Sequence, residues 1–429
     1  MKKSILFALC AWISIPLLLQ AGKASTEELL AALKSEKAST REKAARELGE
    51  RGEKLGLPAL VKAAGDKDQG VQMAAVTAIG KISDPGQVSA MCQALRNSNQ
   101  EAQKEAIHLL TEHYIPNYDR DNLREMWKSM ADIFDPPHPV IAEPWIPVDQ
   151  EAIDAILFVL DDKNSDNRIE AAATLGILRS DKGIPQLTYY LNSPNQKMVR
   201  TCVRALGYIG NPESGASLIP MLKHPDKDVV VDSIRVLGQF RYKPALTDLT
   251  QYLEFVRDDR YKEVALQAIS RIGDPSSEQV VKKYYTSGNR NLRQFSIEAF
   301  GRMKLRGYLD PLKRELQNEK DTRLKLAMCF SLFMLGDPAY IESLVRALTD
   351  RIYRPQSREY IIELGKPAVP QVAGYLKTDE KSLRLQVIRI LADMHQPDAI
   401  SFLEPYVQDK DIEVAQTATD AIRELKKTE

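Results

Sequence analysis

Apolar residues recur along this chain at helical spacing, in blocks that repeat. One block carries Leu57, Leu60, Val61 and Ala64, and another carries Ile341, Leu344, Val345 and Leu348. Positions three and four apart share a helix face, so each block predicts an amphipathic helix with one buried stripe. A second block follows, rich in small residues such as Ala44-Ala45, Ala74-Ala75 and Ala171-Ala172, which let helices approach closely. The turn between the two holds Asp, Asn and Ser, as in Asp226-Lys227-Asp228 and Asn289-Arg290-Asn291. Their side chains accept hydrogen bonds from the orphan amides of a helix start. Proline sits near the start of the first helix at Pro58, Pro185 and Pro311, where no backbone bond is lost to it. The second helix ends on glycine before Asn-Pro or Asp-Pro, at Gly210-Asn211-Pro212 and Gly273-Asp274-Pro275, which predicts a left-handed stop.

The unit returns about every 31 residues. Its clearest copy runs from Val71 to Gly80, and its last position falls at Gly49, Gly80, Thr111, Gly176, Gly207, Gly238, Ser270, Gly301, Phe333, Ala392 and Arg423. The intervals are 31, 31, 65, 31, 31, 32, 31, 32, 59 and 31. A fixed period of this size means stacked copies of one helix pair rather than a single closed core. The terminal helices support that: Ala38 to Lys54 and Arg423 to Lys427 are dense in charge, as capping repeats with one solvated face should be.

The pattern resembles the HEAT repeat, in the short bacterial form named after the phycobilisome lyases, from about 25 to 111 and from about 149 to 429. The resemblance implies an all-α fold, a right-handed α-solenoid of about 11–12 stacked HEAT-like helix pairs with the second helices on its concave wall. It implies no particular role, because this fold hosts many. It also implies that basic residues eight positions before the repeat marker (Arg41, Arg168, Lys262, Arg293, Lys325 and Arg384) pair with acidic turn residues of a neighbouring repeat.

Residues 1–24 read as a secretory signal peptide. Lys2 and Lys3 precede an uncharged run of 17 residues from Ser4 to Gln20, and Gly22 and Ala24 supply the small residues of a cleavage site. The run contains Pro16 and is short for a membrane span. Cleavage leaves residues 25–111 and 150–429 as one continuous solenoid interrupted by an insertion at 112–149. No later apolar run is long enough to cross a membrane.

Without Lys2, Lys3 and Lys23 the chain holds 56 basic and 59 acidic residues. That balance excludes a general nucleic-acid binder, which needs a clear basic excess. The three remaining cysteines, Cys92, Cys202 and Cys329, lie at least two repeats apart, too far for a disulfide, and read as small buried hydrophobes.

The insertion is a candidate partner site. It holds Trp127, Trp145 and six prolines, Pro116, Pro136, Pro137, Pro139, Pro144 and Pro147. Asp121 to Phe134 predicts an amphipathic helix, and Pro136 to Pro147 an extended, polyproline-like run. Stiff aromatic segments lose little entropy on binding. The competing reading makes the insertion an internal brace over the solenoid's grooves.

A second candidate is electrostatic. Nine basic residues lie between Lys282 and Arg314, including Lys283, Arg302 and Arg306, with only Glu298 and Asp310 against them. Tyr284 and Tyr285 stand beside them. A smaller set, Arg200, Arg204 and Arg235, occupies second-helix positions of adjacent repeats. Either could gather into a patch for an acidic partner, an anionic glycan or a lipid headgroup.

Catalytic grammar is thin. There is no His-Glu-x-x-His, Cys-x-x-Cys, Gly-x-Ser-x-Gly or Gly-rich phosphate loop. The five histidines, His108, His113, His138, His224 and His395, show no ligand spacing. Among HEAT-like enzymes, deoxyhypusine hydroxylase holds iron through His-Glu pairs, and none occurs here. The bilin lyases act inside the cell, which conflicts with export. The expectation is an exported, periplasmic or secreted scaffold that binds another envelope protein, without cofactor, metal or catalysis. The alternative is a binder of anionic glycan or envelope lipid through 282–314, and a HEAT-fold enzyme of the lyase type stands third.

Overall fold

The computed structural model describes residues 24–115, 147–162 and 166–427. Among these, every regular element is helical. They form two compact units, one ending at Ala106 and the other beginning at Ile107. The first unit contains α1 (Thr26–Ala32), α2 (Ala38–Glu50), α3 (Leu57–Ala63), α4 (Gln69–Lys81), α5 (Gln87–Asn97) and the start of α6 (Gln100–Tyr114). The second continues with α7 (Gln150–Asp161), α8 (Arg168–Ile177), α9 (Ile184–Tyr190), α10 (Gln196–Ile209), α11 (Gly215–Leu218) and α12 (Lys227–Gln239). Next come α13 (Leu246–Phe255), α14 (Asp259–Ile272), α15 (Glu278–Lys282), α16 (Arg290–Arg302), α17 (Leu309–Leu316) and α18 (Thr322–Met334). The last six are α19 (Ile341–Ala347), α20 (Arg354–Leu364), α21 (Val369–Ala373), α22 (Lys381–Asp393), α23 (Ile400–Leu403) and α24 (Ile412–Leu425). Odd-numbered helices are the first of each pair and even-numbered ones the second. Within each unit, successive second helices pack side by side.

The predicted punctuation is where the sequence placed it. Ser25 opens α1 with a capping box, its Oγ accepting from the Glu28 N–H while its own N–H donates to the Glu28 carboxylate at 2.7 Å. Asp68, Asn195, Asp226, Asp258, Asn289, Asp321 and Asp411 cap the starts of second helices. Pro58 and Pro185 lie in the first two positions of α3 and α9, whereas Pro311 is the third residue of α17. Gly210 and Gly273 stop α10 and α14 in the left-handed conformation, at φ 78° and 67°.

The left-handed stop is a property of the repeat rather than of glycine. Three residues after the marker, Gly52, Gly210, Gly273 and Gly336 have positive φ, and so do Arg179, Arg241, Lys304 and His395, at φ 49–56°. The four bulky residues adopt a conformation that L side chains disfavour by about 1–2 kcal/mol.

The marker itself has a steric cause. A Cβ on Gly49 would lie 2.6 Å from the Cα of Ala78 on the next second helix, and one on Gly176 would lie 2.6 Å from that of Ala205. Gly238 faces the Cα of Ala268 at 2.8 Å and Gly301 that of Ser331 at 2.7 Å, whereas Gly207 meets the Val236 side chain at 2.7 Å. Glycine recurs because second helices touch there backbone to backbone.

Cys92, Cys202 and Cys329 are all buried, and burial pushes the Cys202 thiol up to about 12. At the insertion, α6 runs to Tyr114 and α7 starts at Gln150. The buried Tyr114 hydroxyl donates to Asp149 Oδ2 at 2.8 Å and accepts from the Asp149 N–H at 3.2 Å, so the ends of the insertion are pinned together. Trp127, Trp145 and the predicted helix 121–134 lie outside the described residues.

Candidate interaction surfaces and a charged centre

The marker-minus-eight bases were expected to join neighbouring repeats, and several do. Arg41 forks onto both oxygens of Asp66 at 2.7 Å and donates to the carbonyls of Ser35 and Glu36. Arg293 reaches Glu315 and Glu319, and Arg384 reaches Asp409. Lys262 departs from the pattern and pairs with Asp259 of its own helix at 3.1 Å.

Arg200, Arg204 and Arg235 come together on α10 and α12, around an acid that sequence reasoning did not single out. Asp232 is fully buried on α12. Its Oδ2 accepts from Arg200 Nε at 2.8 Å and Arg204 Nε at 2.7 Å, and Arg235 stands 3.8 Å from Oδ1. Arg200 also pairs with Asp228. Arg204 is buried, so its charge stabilises the stack and is out of reach of a partner.

The 282–314 segment does not hold its excess charge alone, because the fold brings acids to it. Lys283 pairs with Glu254 at 3.2 Å, Arg290 with Asp321 at 2.9 Å and Lys313 with Asp337 at 2.6 Å. Lys304 donates to the Met334 carbonyl. Arg302 is buried. Lys282, Arg306 and Arg314 stand exposed. Tyr284 is half-buried, and burial raises its hydroxyl above the usual range. Tyr285 packs edge-on against Phe300 and donates to Glu315.

Arg302 is the hub of a charged centre that no motif announced. It donates to Glu298 Oε2 and Ser270 Oγ at 2.8 Å and forks onto Glu363 at 2.8 and 2.9 Å. Its guanidinium also lies 5.1 Å from the Phe330 ring. Burial alone would disfavour the charge, but the Glu363 and Glu298 carboxylates outweigh it and keep the guanidinium protonated. Tyr360 stacks on Phe330 with centroids 4.6 Å apart and donates to Glu298. Arg241 pairs with Glu363 at 2.7 Å, and Arg271 pairs with Glu359.

The two glutamates of α20 differ in charge balance. For Glu363, burial works against ionisation, yet Arg302 and then Arg241 and Arg271 hold its carboxyl below the ordinary range. The Glu359 side chain is 42% exposed. Its carboxyl is raised, chiefly by desolvation; Arg271 opposes the shift and Glu298 adds to it. The only signal for this centre in the sequence is the 59-residue interval, which holds two helix pairs, α19–α20 and α21–α22, in a shortened frame.

Large apolar side chains are exposed elsewhere. Phe158 on α7 is 47% exposed and Tyr189 on α9 is 68% exposed. They occupy the same repeat position, 31 residues apart. Gln186 donates to Asp161 at 2.9 Å and the Tyr190 hydroxyl to the Leu160 carbonyl at 2.9 Å, which ties these first helices together. Among the described residues no group of His, Cys, Asp and Glu is arranged to hold a metal, and no helix is long and apolar enough to cross a membrane.

The family described as HEAT repeats matches residues 26–111 and 184–270. No curated protein matches the chain in sequence. Among solved structures, the chain is similar to the CpcE–CpcF complex of phycocyanin lyase from Nostoc sp. PCC7120, with 18% identity, 64% of this chain and 94% of that chain covered, and a TM-score of 0.34. Importin β is similar at 13% identity over 92% of this chain and 64% of its own, with a TM-score of 0.47. Human deoxyhypusine hydroxylase is similar at 17% identity over 57% of this chain and 96% of its own, with a TM-score of 0.28. None of these likenesses is close enough to bear on function. Residues 26–111 and 184–270 are thus identified as HEAT repeats.

Proposed function

We propose that the chain is an exported scaffold that binds another protein of the cell envelope and carries out no catalysis of its own. The carrying observation is the contrast between its charges and its aromatics. Most of the charges singled out in the sequence are engaged inside the stack, whereas Phe158 and Tyr189 stand exposed at one repeat position on adjacent first helices. Aromatic side chains on a rigid helical surface are favoured anchors for protein partners, because they offer large apolar area at small entropic cost.

The test is capture from native envelope, comparing the wild type with Phe158→Lys/Tyr189→Lys, each at low and high salt. The reading expects bands that survive salt and vanish in the variant. Salt-sensitive capture that the variant retains would instead favour the anionic-glycan or lipid alternative, through the exposed Lys282, Arg306 and Arg314. Export rests on Lys2, Lys3, the apolar run and Ala24, and an N-terminus at Ser25 in the native protein tests it by mass spectrometry. An intact Met1 on cytosolic protein would overturn it.

A further inference from the structure

We propose that α20 is a strap that closes the second-helix face over α16 and α18, and that the ion pairs of Glu359 and Glu363 hold it shut. In a stack of repeats each unit touches its neighbours. Through Glu363, α20 reaches Arg302 and Arg241, which lie 61 and 122 positions earlier, and through Glu359 it reaches Arg271, 88 positions earlier.

Burial shows what the strap covers. Seven residues before the marker, Val231 on α12 and Glu263 on α14 are half-buried, while Gln294 on α16 and Leu326 on α18 are buried. Three before it, Arg235 and Gln267 are half-buried, while Glu298 and Phe330 are buried. The change falls where Tyr360 lies over Phe330 and Glu298. A helix with buried residues on every side needs cover on every side, and α18 is such a helix, buried without a break from Leu326 to Leu332.

The grip is electrostatic on one side of α20 and apolar on the other. Ile361 and Leu364 belong to the core shared with α19 and α22, and Ser357 donates to the Leu344 carbonyl. Arg241 contributes from a strained left-handed backbone, φ 50°, at a position where other repeats use glycine. Removing the ion pairs therefore loosens the cross-repeat contact to that of Tyr360 with Phe330 and Glu298, while leaving α20 seated on its own repeat.

Hydrogen exchange read by mass spectrometry on the full chain tests this, with Glu359→Gln/Glu363→Gln beside the wild type. The strap predicts exchange at least tenfold faster in 290–302 and 354–364, with 196–209 and 412–425 unchanged, as local opening requires. Equal acceleration in every second helix would overturn it by making α20 a global stability element, and no acceleration would overturn it outright. If that variant does not fold, Arg241→Gln/Arg271→Gln, which leaves Glu298 and Glu363 on Arg302, must still speed exchange in 354–364. Wild-type rates there would refute the strap.

Discussion

Arg241 and Glu363 lie 122 positions apart in sequence and are joined at 2.7 Å. Glu363 accepts Arg302 at the same time, so one carboxylate gathers the ends of α12 and α16 onto α20. The two arginines differ in setting. The Arg302 side chain is 3% exposed and that of Arg241 is 58% exposed. Removing the shared acid leaves one arginine in water and the other in the interior with Glu298 but without its two-pronged partner.

That difference sets the first expectation. Glu363→Gln should cost on the order of 3–5 kcal/mol, the usual loss when a buried pair loses one partner. Arg241→Gln should cost at most about 1 kcal/mol, as exposed pairs do. Urea denaturation of both variants measures the ratio, and equal losses would show that Glu363 does not hold Arg302.

Glycine at the marker is required by the facing backbone. Gly176→Ala should destabilise by about 1–3 kcal/mol, because its Cβ would lie 2.6 Å from the Cα of Ala205, a backbone atom that cannot rotate away. Gly374 is the control: it has φ −54° and nothing within 4 Å of a built Cβ. Gly374→Ala should be neutral, or stabilising by about 0.4–1 kcal/mol.

The strained stops predict a gain. Arg179 sits at φ 52° where equivalent repeats carry Gly52, Gly210 and Gly273. Arg179→Gly should raise stability by about 1 kcal/mol through relief of backbone strain. Thermal unfolding reads the sign, and a loss would mean that the Arg179 side chain contributes more than the strain it imposes.

Glu359 and Glu363 predict opposite pH trends. The raised Glu359 binds its proton more tightly in the folded chain, so acidification from neutral pH towards the ordinary glutamate value of 4.5 adds stability. The lowered Glu363 contributes stability that is present above 4.5 and lost as pH falls through its depressed folded value. Arg271 on α14, Glu298 and Arg302 on α16, and Arg241 after α12 are the charges facing them. The advantage of wild type over Glu359→Gln should therefore grow on acidification from neutral pH, and its advantage over Glu363→Gln should shrink below 4.5. Melting temperatures across this range check both, and parallel curves would refute the assignment.

The local grammar of the chain was open to reading from the sequence alone. Helix periodicity, the Asp and Asn caps and the Gly-Asn-Pro and Gly-Asp-Pro stops act over a few residues, so Asp226, Asn289, Gly210 and Gly273 could be assigned their roles directly. The 31-residue period followed from the same signals, repeated. The reason for the marker glycine did not, because Gly176 answers to Ala205 on the next second helix and to nothing in its own.

Charge was where linear reading failed. Counted along the chain, 282–314 is strongly basic, yet Glu254, Asp321, Asp337 and Glu363 reach it only through packing. Asp232 collects Arg200 and Arg204 for the same reason. Electrostatic energy depends on distance in space and on burial, and neither is written in residue order. The sequence by itself therefore determined that this chain is a stack of helix pairs. Only the tertiary structure decided that α20 crosses to the face of earlier repeats, because that depends on Glu363 meeting Arg302 and Arg241 while Glu359 meets Arg271.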